Sequence, residues 1–190
     1  MKNKSKKAKI LELFVALALI ATGVAFRFLP HLPNFTPIGA IALFGGVYLS
    51  RRMAIAMPIL AMAISDFFIG SYEIKLMMAV YGSFVLTVFL GFWLKRFKKY
   101  HAAWAGSLAS AFLFFAITNF AVWVFTPWYP SNLAGLIQCY VMALPFLKND
   151  LMGTLFYTGI FFGMYELAGL LIKKYVKNQE RNLCPKIIEK

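Results

Sequence analysis

The chain has 190 residues, of which 61% are hydrophobic and only 14% are charged, and its formal net charge is +13 at pH 7. A soluble domain of this size is about half apolar, with about a quarter of its residues charged, so the composition excludes an ordinary water-soluble domain. The charge does not indicate nucleic-acid binding, because Lys and Arg form short blocks at the ends of apolar runs, where they orient membrane helices and contact anionic lipids.

Six apolar runs predict six membrane-spanning helices, because a helix needs about 20 apolar residues to cross a bilayer core of about 30 Å. In chain order the predicted spans are residues 10–29, 35–50, 53–70, 76–94, 102–126 and 151–172. The second is short, so we expect it to tilt, to thin the bilayer locally, or to depend on Arg51 and Arg52 reaching outward. The sequence therefore predicts an all-α membrane protein with one six-helix domain, residues 1–173, and a basic cytoplasmic tail, residues 174–190.

The basic residues predict the orientation of these spans. Only Arg27, Lys75 and Lys148 fall on one side of the membrane, and the other seventeen Lys and Arg residues fall on the side of the N-terminus. Since cytoplasmic loops carry the excess of Lys and Arg, we expect a multi-pass protein of the bacterial inner membrane with both termini in the cytoplasm.

The segment 132–147 lies between the fifth and sixth spans. One apolar face with helical spacing is formed by Leu133, Leu136, Ile137, Tyr140, Val141 and Leu144. A complete span here would move the basic tail outside the cell. The pattern favours a short amphipathic helix that lies on the outer surface or dips partway into the membrane.

Residue patterns typical of enzymes and metal sites are missing from the sequence. Cys139 and Cys184 have no metal-binding or redox spacing, and His31 and His101 fall on opposite sides of the membrane. The chain contains no zinc-protease, serine-hydrolase or nucleotide-binding motif. We therefore expect no catalytic activity and no cofactor, and any uphill transport needs a gradient or a separate motor.

Polar residues concentrate towards the outer side of the predicted spans. Intramembrane polar groups are costly and usually have a function. The residues that we predict to contact a ligand are Arg27, His31, Asn34, Asp66, Asn119, Trp123, Asn149 and Asp150. The inner half holds few polar groups besides Glu12 and Glu166. The sequence thus predicts a binding site at the outer mouth, where charged groups fix the ligand, amides give specificity and Trp123 stacks on a flat ring.

Arg27 and Asp66 have opposite charges and a similar predicted depth, which leaves two interpretations open. In the first, the two residues pair or jointly hold a ligand. In the second, Arg27 reaches for lipid headgroups and Asp66 locks two helices together.

The connection between the first two spans contains Pro30, Pro33 and Pro37, which predict a stiff, non-helical segment. Its Asn34 and Thr36 provide polar contacts at fixed positions or cap the second span.

The block Arg27-Phe-Leu-Pro-His-Leu-Pro-Asn-Phe-Thr-Pro37, followed by residues 38–46, Pro58, Ser65-Asp66 and Gly70, resembles a family of uncharacterised bacterial membrane proteins that is known only as a domain of unknown function. The resemblance extends over most of the chain. Its specific part is the Pro-Asn-Phe-Thr-Pro segment.

The layout is also similar to that of the substrate-binding S components of energy-coupling factor (ECF) vitamin transporters. This resemblance implies a bundle that captures a vitamin-like solute from outside and reorients on a transmembrane coupling protein driven by two ATPase subunits. It also implies that small residues of the first helix, here Ala21 and Ala25, contact the coupling protein.

The sequence therefore predicts a membrane protein that binds a small polar solute at its outer face and mediates its uptake, as the substrate-binding subunit of an ECF-like transporter. The alternatives are a structural or assembly subunit without a ligand, and a membrane-embedded enzyme using Asp66 or Asp150.

Overall fold

A computed structural model describes residues 2–70, 72–97 and 100–183, and all regular structure within these residues is helical. The helices are α1 (Lys2–Phe28), α2 (Ile38–Tyr48), α3 (Arg51–Ile69), α4 (Ile74–Leu94), α5 (Tyr100–Phe125), α6 (Leu133–Met142) and α7 (Leu144–Leu183). In the described residues, α1, α3, α4, α5 and α7 contain segments that are long and apolar enough to cross a membrane. This architecture is that of a multi-pass helical membrane protein.

Helix α2 occupies the centre of the bundle, and it corresponds to the second predicted span. It has 11 residues, which gives a length of about 16 Å, so it is shorter than the predicted 35–50 and shorter than the bilayer core. The stretch from Ala40 to Gly46 is buried without interruption. The helix packs against α1, α3, α4, α5 and α7. Its apolar sequence is therefore explained by contact with other helices.

Two glycines allow α2 and α4 to pack with their backbones in contact. A Cβ atom added to Gly91 of α4 would lie 2.7 Å from the carbonyl oxygen of Leu43. A Cβ atom added to Gly46 of α2 would collide with the carbonyl oxygen of Val88. Since small residues let membrane helices approach closely, this pair sets the distance between the central helix and α4.

The contacts between helices define two ends of the bundle. At one end, which we call the basic end, the backbone N–H of Ser50 donates to Glu12 of α1, and Arg51 and Arg52 begin α3. At the other end, which we call the Arg27 end, Arg27 at the end of α1 pairs with Asp66 at the end of α3. Helices α1 and α3 therefore run in the same direction, away from the basic end.

Helices α2 and α7 run side by side in the opposite direction. The side chain of Thr154 in α7 lies against Gly39 near the start of α2. At the far end of α2, the hydroxyl of Tyr48 donates to Glu166 of α7 over 3.4 Å. The start of α1 and the later part of α7 consequently lie at the same, basic end.

Helix α6 packs back along the last turns of α5. The hydroxyl of Tyr140 donates to the carbonyl of Ala116 over 2.7 Å, and the thiol of Cys139 donates to the carbonyl of Asn119 over 3.4 Å. The side chain of Asn132 caps the helix by accepting from the N–H of Gly135. Helix α6 therefore runs antiparallel to the last turns of α5 and is bonded to them.

Helix α7 is longer than the sixth predicted span on both sides. It has 40 residues, or about 60 Å, and it begins within the segment 132–147. Pro145 lies in its first turn, where a missing N–H breaks no helical hydrogen bond. The helix continues through residues 174–183 of the predicted tail, and residues 184–190 of that tail lie outside the described part of the chain.

We expect Gly91→Ala to lower the free energy of unfolding by about 1–3 kcal/mol, because the added methyl group overpacks the contact between α2 and α4. Thermal unfolding of the detergent-solubilised protein measures this effect. The matched control is Gly82→Ala on the same helix, where an added Cβ meets nothing within 4 Å. Equal melting temperatures for the two variants would contradict the close packing.

Candidate functional site

A partly open cavity of about 280 Å³ lies at the Arg27 end of the bundle. Four residues of the predicted site line it: Arg27, His31, Asn34 and Asp150. The remaining lining residues are Thr36, Met62, Tyr72, Val80, Phe84 and Phe114. The cavity thus joins the end of α1 and the proline-rich connection to side chains of α3, α4, α5 and α7.

Arg27 is held in place through one of its three nitrogen atoms. Its Nη1 donates to Oδ1 of Asp66 over 2.6 Å, to the hydroxyl of Ser65, and to the carbonyl of Met62 over 3.4 Å. In the described part of the chain, Nε and Nη2 donate no hydrogen bond. The guanidinium is therefore fixed through Nη1, and Arg27 is one of the residues that line the cavity.

Asp66 is saturated by protein contacts and is not among the residues that line the cavity. Its Oδ1 accepts from Arg27, and its Oδ2 accepts from the hydroxyl of Tyr81 over 2.9 Å. Its side chain is only 4% exposed. The pairing with Arg27 that the sequence suggested is present, and it ties α1, α3 and α4 together. A direct contact between Asp66 and a ligand stays a prediction.

Asp150 lines the cavity and has one carboxylate oxygen without a partner in the described part of the chain. Its Oδ1 accepts from the hydroxyl of Thr154, one turn later in α7, over 3.3 Å. Its Oδ2 is buried and has no hydrogen-bond partner among the described residues. A buried acceptor without a partner costs about 1–3 kcal/mol. Such a cost at a cavity wall is typical of functional sites rather than of packing.

The proline-rich connection between α1 and α2 adopts a compact, hydrogen-bonded shape. Asn34 has a φ of 65°, in the left-handed region that Asn tolerates better than most residues. The N–H of Phe35 donates to the carbonyl of Leu32 over 2.9 Å. Pro37 precedes α2, which has no side-chain cap, so the alternative that Asn34 or Thr36 caps this helix is wrong.

His31 is oriented by the same connection. Its Nδ1 lies 2.6 Å from the carbonyl oxygen of Leu29. Because a carbonyl oxygen only accepts, Nδ1 carries the hydrogen, and Nε2 of the neutral ring is an acceptor.

Aromatic side chains and Tyr72 complete the wall. The rings of Phe84 and Phe114 stack with centroids 5.2 Å apart. Burial raises the pKa of Tyr72 to about 12, and the negative charge of Asp66 adds to this shift. The Tyr72 hydroxyl therefore stays protonated at neutral pH and offers a donor to the cavity.

Three residues of the predicted site do not line the cavity. The amide of Asn119 donates to the carbonyl of Phe115 within α5, and the indole N–H of Trp123 donates to the carbonyl of Pro130. The Asn119 amide is thus used within α5, and the Trp123 indole is used in the connection between α5 and α6. Asn149 is half-buried beside Asp150 but outside the lining. Ligand contact by these three residues stays a prediction without support from the cavity.

The apolar lining residues had no distinct signal in the sequence. Met62, Val80, Phe84 and Phe114 have the composition of any membrane helix face. Tyr72 was not among the residues predicted from the sequence. Its position close to the predicted outer polar residues was a usable indication.

The model of one protein family matches residues 7–178. The chain belongs to DUF6580, a family of unknown function. The matched region of DUF6580 includes every residue that lines the cavity. No curated protein and no solved structure matches the chain.

We expect Asp66→Asn and Asp150→Asn to have different effects on stability. Asp66→Asn removes the charge opposite a largely buried guanidinium and should lower the free energy of unfolding by about 3 kcal/mol. Asp150→Asn removes a charge whose second oxygen has no partner, so the change should be smaller than about 1 kcal/mol or stabilising. Thermal unfolding in detergent compares the two variants, and equal losses would contradict the distinct roles.

Proposed function

We propose that this protein binds a small polar solute at its outer face and mediates its uptake across the membrane. The observation that carries the proposal is the partly open cavity of about 280 Å³ lined by Arg27, His31, Asn34 and Asp150. A bundle that served only as a scaffold would be expected to fill this space with side chains.

The size and lining of the cavity support a small ligand. Ligand sites commonly have volumes of about 300–1,000 Å³ and combine apolar walls with a few polar groups that fix orientation. The cavity lies at the lower end of this range. Met62, Phe84 and Phe114 form apolar wall, whereas Arg27 and Asp150 supply charge. A single small organic molecule matches this combination better than a lipid chain or a macromolecule.

The proposed orientation places the cavity towards the outside of a bacterial inner membrane. The helices α1, α3, α4, α5 and α7 cross the membrane, and α2 makes the sixth passage inside the bundle. Arg51, Arg52, Lys95 and Arg96 follow or begin helices at the basic end, which the positive-inside rule assigns to the cytoplasm. Both termini are then cytoplasmic, and the Arg27 end faces outward.

The proposed energy source is a separate motor, as in the ECF transporters that the layout resembles. Within this proposal the chain is the substrate-binding subunit, and its partners are a transmembrane coupling protein and ATPase subunits. Ala21 and Ala25 of α1 are exposed, so small side chains are available there for contact with another membrane protein.

The second candidate function is a structural or assembly subunit without a ligand. The contacts of Asp66 with Arg27 and Tyr81 favour it, because they join three helices and leave no atom of this carboxylate unused. The two functions differ in what they predict for Asp150, whose side chain, among the described residues, hydrogen-bonds only to Thr154 of its own helix.

We expect native mass spectrometry of the gently purified full chain to release a small molecule in a one-to-one ratio. The variant Asp150→Asn should lose this molecule because a cavity acceptor is removed. The matched control is Glu166→Gln at the basic end, which makes the same chemical change far from the cavity and should retain it. If the wild type and both variants released only lipids, the solute-binding function would be wrong.

The orientation is tested with single cysteines in a chain that carries Cys139→Ala and Cys184→Ala. Lys75→Cys at the start of α4 should react with a membrane-impermeant maleimide in intact spheroplasts. Lys95→Cys after the end of α4 should react only after permeabilisation, because one helix separates the two positions. The opposite result, or labelling of both positions from outside, would contradict the orientation.

A further inference from the structure

We propose that the solute is an amino-acid-like zwitterion, whose carboxylate binds the Nε–Nη2 edge of Arg27 and whose ammonium group binds Oδ2 of Asp150. The inference rests on the proposed solute-binding function and names the chemical class of its ligand.

The free edge of Arg27 matches a carboxylate. A guanidinium presents two parallel N–H donors along its Nε–Nη2 edge, and a carboxylate accepts both in a planar, bidentate pair. Asp66, Ser65 and Met62 all bind Nη1, so they immobilise the group and leave this edge to another partner. Because the guanidinium is already ordered, binding a carboxylate here costs little additional side-chain entropy.

The unused oxygen of Asp150 matches an ammonium group. Oδ2 is buried without a hydrogen-bond partner in the described residues, while Oδ1 has only a long contact with Thr154. A carboxylate accepts hydrogen bonds and donates none, so its complement is a donor, and a cationic donor makes the stronger bond.

The order of charges explains why one ligand should carry both groups. Arg27 is already paired with Asp66, and Asp150 lines the same cavity, so a ligand with a carboxylate alone would add a third acidic group beside one guanidinium. A ligand with an ammonium alone would leave the Arg27 edge unpaired. In the complex, where an adjacent ammonium favours the ionised form of Asp150, a zwitterion gives a sequence of alternating charges from Asp66 through Arg27 and the ligand to Asp150.

The apolar lining of the cavity indicates which substituent the zwitterion carries. The stacked rings of Phe84 and Phe114, with Met62 and Val80, form the apolar lining. This surface favours an apolar or aromatic substituent on the zwitterion, within the limit of about 280 Å³.

The test titrates the detergent-solubilised full chain by calorimetry with matched compounds. L-Phenylalanine and L-leucine carry both charged groups, phenethylamine lacks the carboxylate, and 3-phenylpropionate lacks the ammonium. We expect a zwitterion to bind at least about tenfold more tightly than either single-group compound, because an absent partner leaves a buried polar group unpaired.

Two variants separate the two contacts. Asp150→Asn should weaken binding of the zwitterion by about tenfold or more and leave the weak binding of 3-phenylpropionate unchanged. Arg27→Lys keeps the charge but loses the planar edge, and it should weaken the zwitterion and 3-phenylpropionate without affecting phenethylamine. Arg51→Lys, the same change at the basic end, is the control. If Arg27→Lys does not fold, Asp150→Asn alone decides.

The outcomes distinguish this inference from the proposed function. A co-purified molecule that lacks a carboxylate or an amine overturns the zwitterion and leaves solute binding in place. Equal affinities for the zwitterion and a single-group compound, or no binding of either amino acid, also overturn it. The absence of any co-purified solute, together with no binding of any compound tested, overturns both.

Discussion

The ion pair between Arg27 and Asp66 is the interaction on which the rest of this end of the bundle depends. A charge inside a membrane protein persists only when it is paired and hydrogen-bonded. Asp66 is 4% exposed, and its two oxygens are shared between Arg27 of α1 and Tyr81 of α4. The pair, with Tyr81, therefore fixes α1, α3 and α4 around a space that α5 and α7 close. The shape of the cavity depends on this arrangement.

The two carboxylates at the Arg27 end show how stability and function are divided. Asp66 is fully bonded and supports the structure, whereas Asp150 keeps a buried oxygen without a partner among the described residues. The first arrangement stabilises the bundle, and the second costs stability in the ligand-free protein. Residues that destabilise the empty protein are those through which a ligand gains affinity, because binding satisfies them. This contrast connects the packing of the helices to the proposed capture of a solute.

The central position of α2 is explained by its short length together with its high hydrophobicity. Its sequence is apolar enough for a membrane but its 11 residues are too few to cross one alone. Packing against five neighbouring helices buries its apolar residues. Gly46 and Gly91 make this packing possible because they let the backbones of α2 and α4 come into contact. The proline-rich connection before α2 is consequently held against α7, where Phe35 contacts Gly153. The central helix thus positions His31 and Asn34 at the cavity.

The sequence by itself determined the all-helical membrane class from its hydrophobic runs and the family resemblance from its Pro-Asn-Phe-Thr-Pro block, and it offered the pairing of Arg27 with Asp66 as one of two interpretations. It also placed Arg27, His31, Asn34 and Asp150 in one region. Only the tertiary structure decided that both oxygens of Asp66 are bonded, that the Asn119 amide bonds within α5 and Trp123 bonds to Pro130, and that Phe84 and Phe114 line the cavity. The physical reason is that helix rotation and side-chain partners depend on packing against neighbouring helices, which a uniformly apolar sequence does not encode locally.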